Sequence, residues 1–238
     1  MTYITQYLRK DGFGAQYQTI LNTILYCKKN NKTFIYTPIK NIEHNYDNDV
    51  LFLQKIEKLM NIKIYKSIYE DDKKNVKIFH IGESINFFDK NIKNLDTEIN
   101  EIKKDFWQNK DRNCFKNDCF NIAVHIRRPN PDDNRIMGVD TPDKYYLDKI
   151  NNLRQKYKDK KIMFHIYSQG ELSNFSKYIA NDTILKINMN IFDTFTEMVG
   201  ADALIMSRSS FSYSAAVLSD GDIYYQKLWH PPMKHWYI

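Results

Sequence analysis

The sequence predicts an α/β fold with mostly parallel sheets, organised as two Rossmann-like βα domains. Two observations carry this. Short apolar runs of strand length alternate with longer segments of helical periodicity along the whole chain, the pattern of a sheet wound by crossover helices. The same rhythm occurs twice, on either side of a charged, cysteine-containing stretch at 110–118 that reads as the crossing between domains. The division is expected near residue 116, giving an N-terminal α/β domain over 1–115 and a C-terminal α/β domain over 116–238. A chain of 238 residues has room for one large or two small domains and for a core that needs no staple.

The elements follow in order. A short strand is expected at 3–8, then a glycine turn, DGFGAQ, at 11–16. A helix over 15–29 puts Tyr17, Leu21, Ile24 and Leu25 on one stripe. TFIYTP at 33–38 reads as the next strand, 50–60 as a helix with Leu51, Ile56 and Leu59 apolar, and VKIFHI at 76–81 as a third strand. A charged amphipathic helix is expected at 97–107. The second half opens with FNIAVHI at 120–126, apolar at almost every position and so expected to be central and buried. A helix at 142–157, a strand at 161–167, a short helix at 171–179 and a strand at 183–187 come next. They are followed by a helix at 193–200, the strand ALIMS at 203–207, a helix at 211–218 and a strand at 222–225.

Composition narrows the function classes. The formal net charge of +6 suits an anionic ligand, although scattered solvating lysines account for it when charge is taken alone. No arginine run and no arginine–aromatic alternation points to nucleic acid. The cysteines are Cys27, Cys114 and Cys119, an odd number without a CxxC pair, which argues against a disulfide framework or a structural zinc site. His80, His165, His230 and His235 lack metal-ligand spacing and are expected to be structural, so no metal is expected. Residues 1–10 carry polar Thr2, Thr5, Gln6 and Arg9, and no apolar run approaches the ~20 residues of a membrane span. A soluble, cytoplasmic protein is the expectation.

Three strand ends could carry chemistry, where ligands of such folds sit. The first is VHIRRPNPDD at 124–133. It places His125, Arg127 and Arg128 at the end of a buried strand. Two adjacent guanidiniums there are costly unless an anion or a carboxylate meets them. A guanidinium forks onto phosphate oxygens, and it stabilises charge that grows as a diphosphate departs. A salt bridge to Asp132, Asp133 or a neighbouring loop is the structural alternative. The second is MSRSSFSYSAAVL at 206–218, a strand running into Ser207, Arg208, Ser209 and Ser210 and then an apolar helix. Helix N-terminal amides bind phosphate. A plain N-cap needs one hydroxyl, and here four serines crowd one turn. Phe211, Ala215 and Leu218 are spaced for packing. The third is DGFGAQYQ at 11–18, where Gly12 and Gly14 permit close backbone approach and Gln16 offers an amide. A plain tight turn explains it equally well.

The three segments occur in the order of a known family. HIRR at 125–128 resembles the HxRRxD signature of α1,2-, α1,6- and protein O-fucosyltransferases. GFGAQ at 12–16 resembles their glycine-rich loop, and SRSSFSYSAAVLS at 207–219 their late serine motif. The resemblance implies a GT-B-like arrangement, GDP-fucose as donor, a glycan acceptor, inversion at the anomeric carbon, no metal and no cofactor. By position it implies that Arg128 binds the donor diphosphate with Arg127 and His125 in the same loop. Ser209, Ser210 and the Phe211 amide would hold phosphate or ribose, Gly12, Gly14 and Gln16 would approach the donor, and Asp193 would face the guanine edge. The signature acid falls at Asn130, so Asp132 or, one place on, Asp133 would have to serve as base. A non-catalytic sugar-nucleotide or glycan-binding protein on a degenerate scaffold is the rival reading. An unrelated phosphatase or nucleotide hydrolase would need a nucleophile or metal cluster beside the arginines, and the sequence shows none.

Overall fold

A computed structural model describes residues 2–45, 48–68, 75–128 and 141–238. The chain is α/β with two parallel sheets. It divides into two compact units, Met1–Lys110 with His230–Lys234, and Asp111–Trp229 with His235–Ile238.

The first unit is built on a three-stranded sheet. Strand β1 (Tyr3–Gln6) lies between β2 (Thr33–Phe34) and β3 (Val76–Phe79), all parallel. The TFIYTP run stays in the ladder for two residues only; beyond them Tyr36 makes an isolated parallel bridge to Ser67. Helix α1 (Phe13–Lys29) is buried along most of its length, beyond the apolar stripe that the sequence shows. Its buried Thr19 and Thr23 satisfy their hydroxyls on the carbonyls of Ala15 and Thr19, one turn back. Helix α2 (Phe52–Met60) ends at Asn61, which adopts the left-handed conformation.

Helix α3 (Ile81–Asn91) follows β3, where the sequence reading has no helix. It packs on α1, as does α4 (Asp96–Trp107). A capping box starts α3: the His80 side chain takes the N3 amide, and Glu83 reaches back to the His80 N–H at 3.2 Å. Histidine is not among the usual capping residues, so the start signal is absent from the sequence.

The second unit carries a five-stranded parallel sheet. Its strands are β4 (Phe120–His125), β5 (Ile162–Ser168), β6 (Thr183–Ile187), β7 (Ala203–Ile205) and β8 (Asp222–Tyr224), in the order β6-β5-β4-β7-β8. As its apolar sequence predicts, β4 is central. One face carries a hydrophobic core: Ile122, Val124 and Ile126 pack with Phe164, Ile166 and Ile205 beneath Tyr146, Ile150 and Leu153 of α5 (Asp143–Lys156). The short helix expected at 171–179 is a 3-10 helix, Leu172–Tyr178, which covers the same face with Phe175 and Tyr178. Helices α6 (Ile191–Gly200) and α7 (Ser210–Leu218) pack together and contribute to the opposite face. Among the described residues no helix is long and apolar enough to cross a membrane.

Candidate functional site

Strand order locates the crevice. The chain leaves β4 toward β5 on one side, and later returns to place β7 on its other side, so connections diverge between β4 and β7. In open α/β sheets that divergence opens a crevice beyond the carboxyl ends of the two strands. The HIRR and serine segments continue those two strands. The structure therefore brings them together: His125 Nδ1 lies 2.8 Å from Ser207 Oγ, and the His125 ring meets Phe211 edge-on at 5.6 Å.

The serine turn is largely self-satisfied. Ser209 is the N-cap of α7, its hydroxyl accepting the Phe211 amide at 3.2 Å. Ser212 donates to the carbonyls of Ser207 and Ser209, both at 3.3 Å, and Ser207 holds His125. The crowding of hydroxyls thus has an internal use for Ser207, Ser209 and Ser212. The Phe211 amide, expected to face a ligand, is engaged by the cap. Ser210 occupies the first helical position, where backbone amides lack intrahelical partners. Phe211 is half-buried against His125 and Phe195 rather than enclosed in the core.

Burial of the His125 ring, with the Arg127 guanidinium nearby, pushes its pKa down to about 3. The imidazole is therefore neutral and acts as a hydrogen-bonding strut. Strand alternation sends neighbouring side chains to opposite faces. Val124 and Ile126 enter the α5 side, while His125 faces α7. The two arginines divide in the same way. Arg127 is half-buried on the His125 side, where its charge acts on that ring. Arg128 turns toward α5. Its Nη1 donates to the Thr141 carbonyl at 3.0 Å, and its Nη2 pairs with Asp143 Oδ1. The salt-bridge alternative is thus realised for Arg128, with Asp143 as the carboxylate. Burial raises the Asp143 pKa, but hydrogen bonds from Lys177 and Tyr178 and the Arg128 charge outweigh it and hold it below the usual carboxylate value.

Parallel register aligns His125 with Tyr167 and Tyr167 with Lys186 in one row below the carboxyl edge. Glu197 of α6 accepts from Tyr167 and, at 2.5 Å, from Lys186. Asp193 lies one helical turn before Glu197 and so shares its face of α6. It is exposed, and Asn190 donates to its carboxylate at 2.6 Å while capping the helix. Sequence reasoning passed over Asp143, Lys186 and Glu197, since each is a lone charge without a motif. The first of these had one signal, an acid in the first helical turn.

Gly12, Gly14 and Gln16 belong to the first unit. Gly12 caps α1, and a Cβ there would come within 2.7 Å of the His44 ring, so close approach is what requires glycine. Gly14 is buried in the first turn of α1. The Gln16 amide is committed to the carbonyls of Asp11 and Asn41, at 2.7 and 2.8 Å. Asn130, Asp132 and Asp133, the candidates for the acid, lie outside the described residues.

No family model matches the sequence, and no curated protein does. Among solved structures the chain is similar to the fucosyltransferase NodZ from Bradyrhizobium, with a TM-score of 0.43 and 10% identity over 92% of this chain and 94% of that one. It is similar to the E. coli heptosyltransferase WaaC, with a TM-score of 0.48 and 11% identity over 100% and 92% of the two chains. A mutant of Arabidopsis thaliana FUT1 in complex with GDP gives a TM-score of 0.42 and 9% identity over 99% and 72%. These likenesses assign no residue a role.

Proposed function

We propose that this chain is a glycosyltransferase that takes a sugar from a nucleotide donor, with fucose from GDP-fucose as the donor of choice, and transfers it with inversion to a glycan hydroxyl. One observation carries the reading: the HIRR strand end and the serine turn meet at the β4–β7 switch point through the His125–Ser207 bond. Phosphate binding there needs positive charge and backbone amides. Arg127 supplies charge beside α7, Arg128 supplies it from the α5 side, and Ser210 at the first position of α7 supplies an amide. Neutral His125 fixes Ser207 and thereby the entry of α7. Asp193, exposed at the start of α6, is the candidate for reading the base. Charge that grows on the departing diphosphate would be stabilised by these fixed cations, which makes a metal unnecessary. Asp133 remains the proposed base.

Thermal-shift and calorimetric titration with GDP, ADP, UDP and dTDP tests the donor. A ligand present at 100 times its Kd stabilises the fold by about 2.7 kcal/mol, and GDP is expected to do so most strongly. Transfer should persist in EDTA; activity lost in EDTA and restored by Mn²⁺ would overturn metal independence. The rival reading, a non-catalytic binder, is favoured by Asn130 standing where the resembled signature carries an acid. It predicts GDP binding with neither transfer nor donor hydrolysis.

A further inference from the structure

We propose that the seam between α1 and α3 in the first unit binds the acceptor sugar, a neutral pyranose whose hydroxyls meet Gln18, Asn22 and Ser84; this rests on the glycosyltransferase reading. Three buried polar atoms of these residues have no hydrogen-bond partner: Gln18 Nε2, Asn22 Oδ1 and Ser84 Oγ. The residues are only 6%, 2% and 1% exposed. Folded proteins pair nearly all such groups, because an unmade hydrogen bond in the interior is costly. Other polar side chains of α1 follow that rule. Thr19 and Thr23 turn their hydroxyls onto carbonyls one turn back, and the Gln16 amide is shared by two carbonyls. Ser84 gives the His80 carbonyl its backbone amide, at 2.9 Å, and not its hydroxyl.

Helical geometry puts the three on one seam. Tyr26 of α1 meets Phe87 of α3 edge-on at 5.2 Å, where the two helices pack. Asn22 and Gln18 lie four and eight residues before Tyr26, on its stripe of α1. Ser84 lies three residues before Phe87, on its face of α3. Height along the sheet follows as well. The Tyr26 ring stacks at 4.3 Å on Phe79, the last residue of β3. Because α1 joins the parallel neighbours β1 and β2, it runs from their carboxyl ends back toward their amino ends. Asn22 and Gln18, about 6 and 12 Å earlier on the helix, therefore stand toward and beyond the carboxyl edge, where ligands of such sheets bind. Tyr7 and His80 stand at the same edge. They follow the register pair Gln6 and Phe79, both are exposed, and their rings are 6.0 Å apart. The chemistry selects the ligand class. The Gln18 atom donates, the Asn22 atom accepts, the Ser84 hydroxyl does both, and none of them carries charge. A sugar hydroxyl likewise donates and accepts, while the C–H face of a pyranose suits an aromatic ring such as Tyr7. An anion would be repelled by the Asn22 oxygen.

The side-chain amide signals of Gln18 and Asn22 report the site directly by NMR. Titration of the ¹⁵N-labelled full chain with methyl β-D-glucopyranoside, methyl β-D-galactopyranoside and methyl N-acetyl-β-D-glucosaminide should shift both signals with at least one sugar. Asn22→Leu and Ser84→Ala should each weaken binding of that sugar roughly tenfold and leave GDP affinity unchanged. They should also keep or raise the melting temperature, since an unpaired buried polar group gives way to an apolar one. Signals unmoved by all three sugars, as when these atoms hold ordered water alone, overturn the inference. Wild-type sugar affinity in both variants overturns it too. Should Asn22→Leu fail to fold, Gln18→Met takes its place: weaker sugar binding supports the inference, and wild-type affinity overturns it. Nucleotide titration separates this inference from the reading beneath it. GDP bound with no sugar bound defeats the inference alone. A chain that binds none of GDP, ADP, UDP and dTDP defeats the glycosyltransferase reading, and with it the acceptor role of any sugar bound at the seam.

Discussion

Two histidines of the second unit, His125 and His165, show how single residues set the protein's response to acid. His125 leans on Ser207 and Phe211, while His165 bonds Asn121 Oδ1 through Nε2 at 2.9 Å and lies 4.4 Å from the Phe115 ring. Burial, with Lys186 adding repulsion, lowers the His165 pKa to about 4; His125 falls to about 3 by burial and Arg127. In the unfolded chain both rings titrate near their ordinary value of about 6.5. Between those values and 6.5 the unfolded state binds more protons, so stability must rise with pH across that window. The stability is complete above about pH 6.5 and is lost as pH falls toward 4. Asp143, held low in the folded state, acts in the same direction at more acid pH. The depression at His165 corresponds to a contribution on the order of 3 kcal/mol. Urea denaturation from pH 7 to 4 should therefore show a steep loss of stability, and His165→Gln should flatten it. A variant with the wild-type slope would mean that His165 is charged in the folded protein.

At the scale of elements, turns decide what the strands can deliver. Gly221 links α7 to β8, and a Cβ there would sit 2.4 Å from the Ala201 carbonyl oxygen and 2.7 Å from that of Asp202. Both belong to the backbone entering β7, and Asp202 O also receives the Asp222 amide. Neither can swing aside. Gly221→Ala should cost at least ~1–3 kcal/mol, by the logic of an overpacked core; a melting temperature equal to wild type would refute the close approach. Gly12 is the milder case, since its obstacle is the His44 side chain. The sequence showed little of this, because a glycine in a turn looks alike whether it meets backbone or solvent. Strands were more legible: β4 announces its central place by its apolar run, and β6 was expected over the residues it occupies. Helix α3 was missed because its cap is a histidine, and the strand at 33–38 was overcalled because propensity does not record where a partner strand ends. In the site, the meeting of HIRR with the serine turn follows from βα order, which sequence displays. The parting of Arg127 from Arg128 follows from alternation, which was available in principle. Their partners were not: Asp143 is 15 positions from Arg128 and Glu197 is 30 from Tyr167, separations that only the folded chain closes.

For the molecule as a whole, the C-terminal tail is the one segment divided between the units. His230–Lys234 belongs with the first and His235–Ile238 with the second. In the first unit His230 is buried, its Nδ1 lies 2.6 Å from Asp89 Oδ1, and its ring meets Phe88 edge-on at 5.6 Å; Met233 is buried as well. In the second unit Tyr237 exchanges backbone hydrogen bonds with Ile223 and Tyr225, both at 2.8 Å, and stacks on Tyr224. Trp236 packs near Tyr213 and Tyr225, with ring centroids 5.3 and 6.1 Å away. Two sets of contacts separated by so few residues can be broken one at a time. Trp236→Ala removes a large buried ring and should cost ~3–5 kcal/mol in the second unit. His230→Ala removes the partner of Asp89 and should act on the first. Hydrogen exchange reads the two separately, since amides report local opening as well as global unfolding. Protection should fall in β7 and β8 for Trp236→Ala, in α3 for His230→Ala, and in both for a chain ending at Trp229. Equal loss of protection throughout the chain for either point variant would show that the units open as one cooperative body, and the division of the tail would then have no energetic meaning.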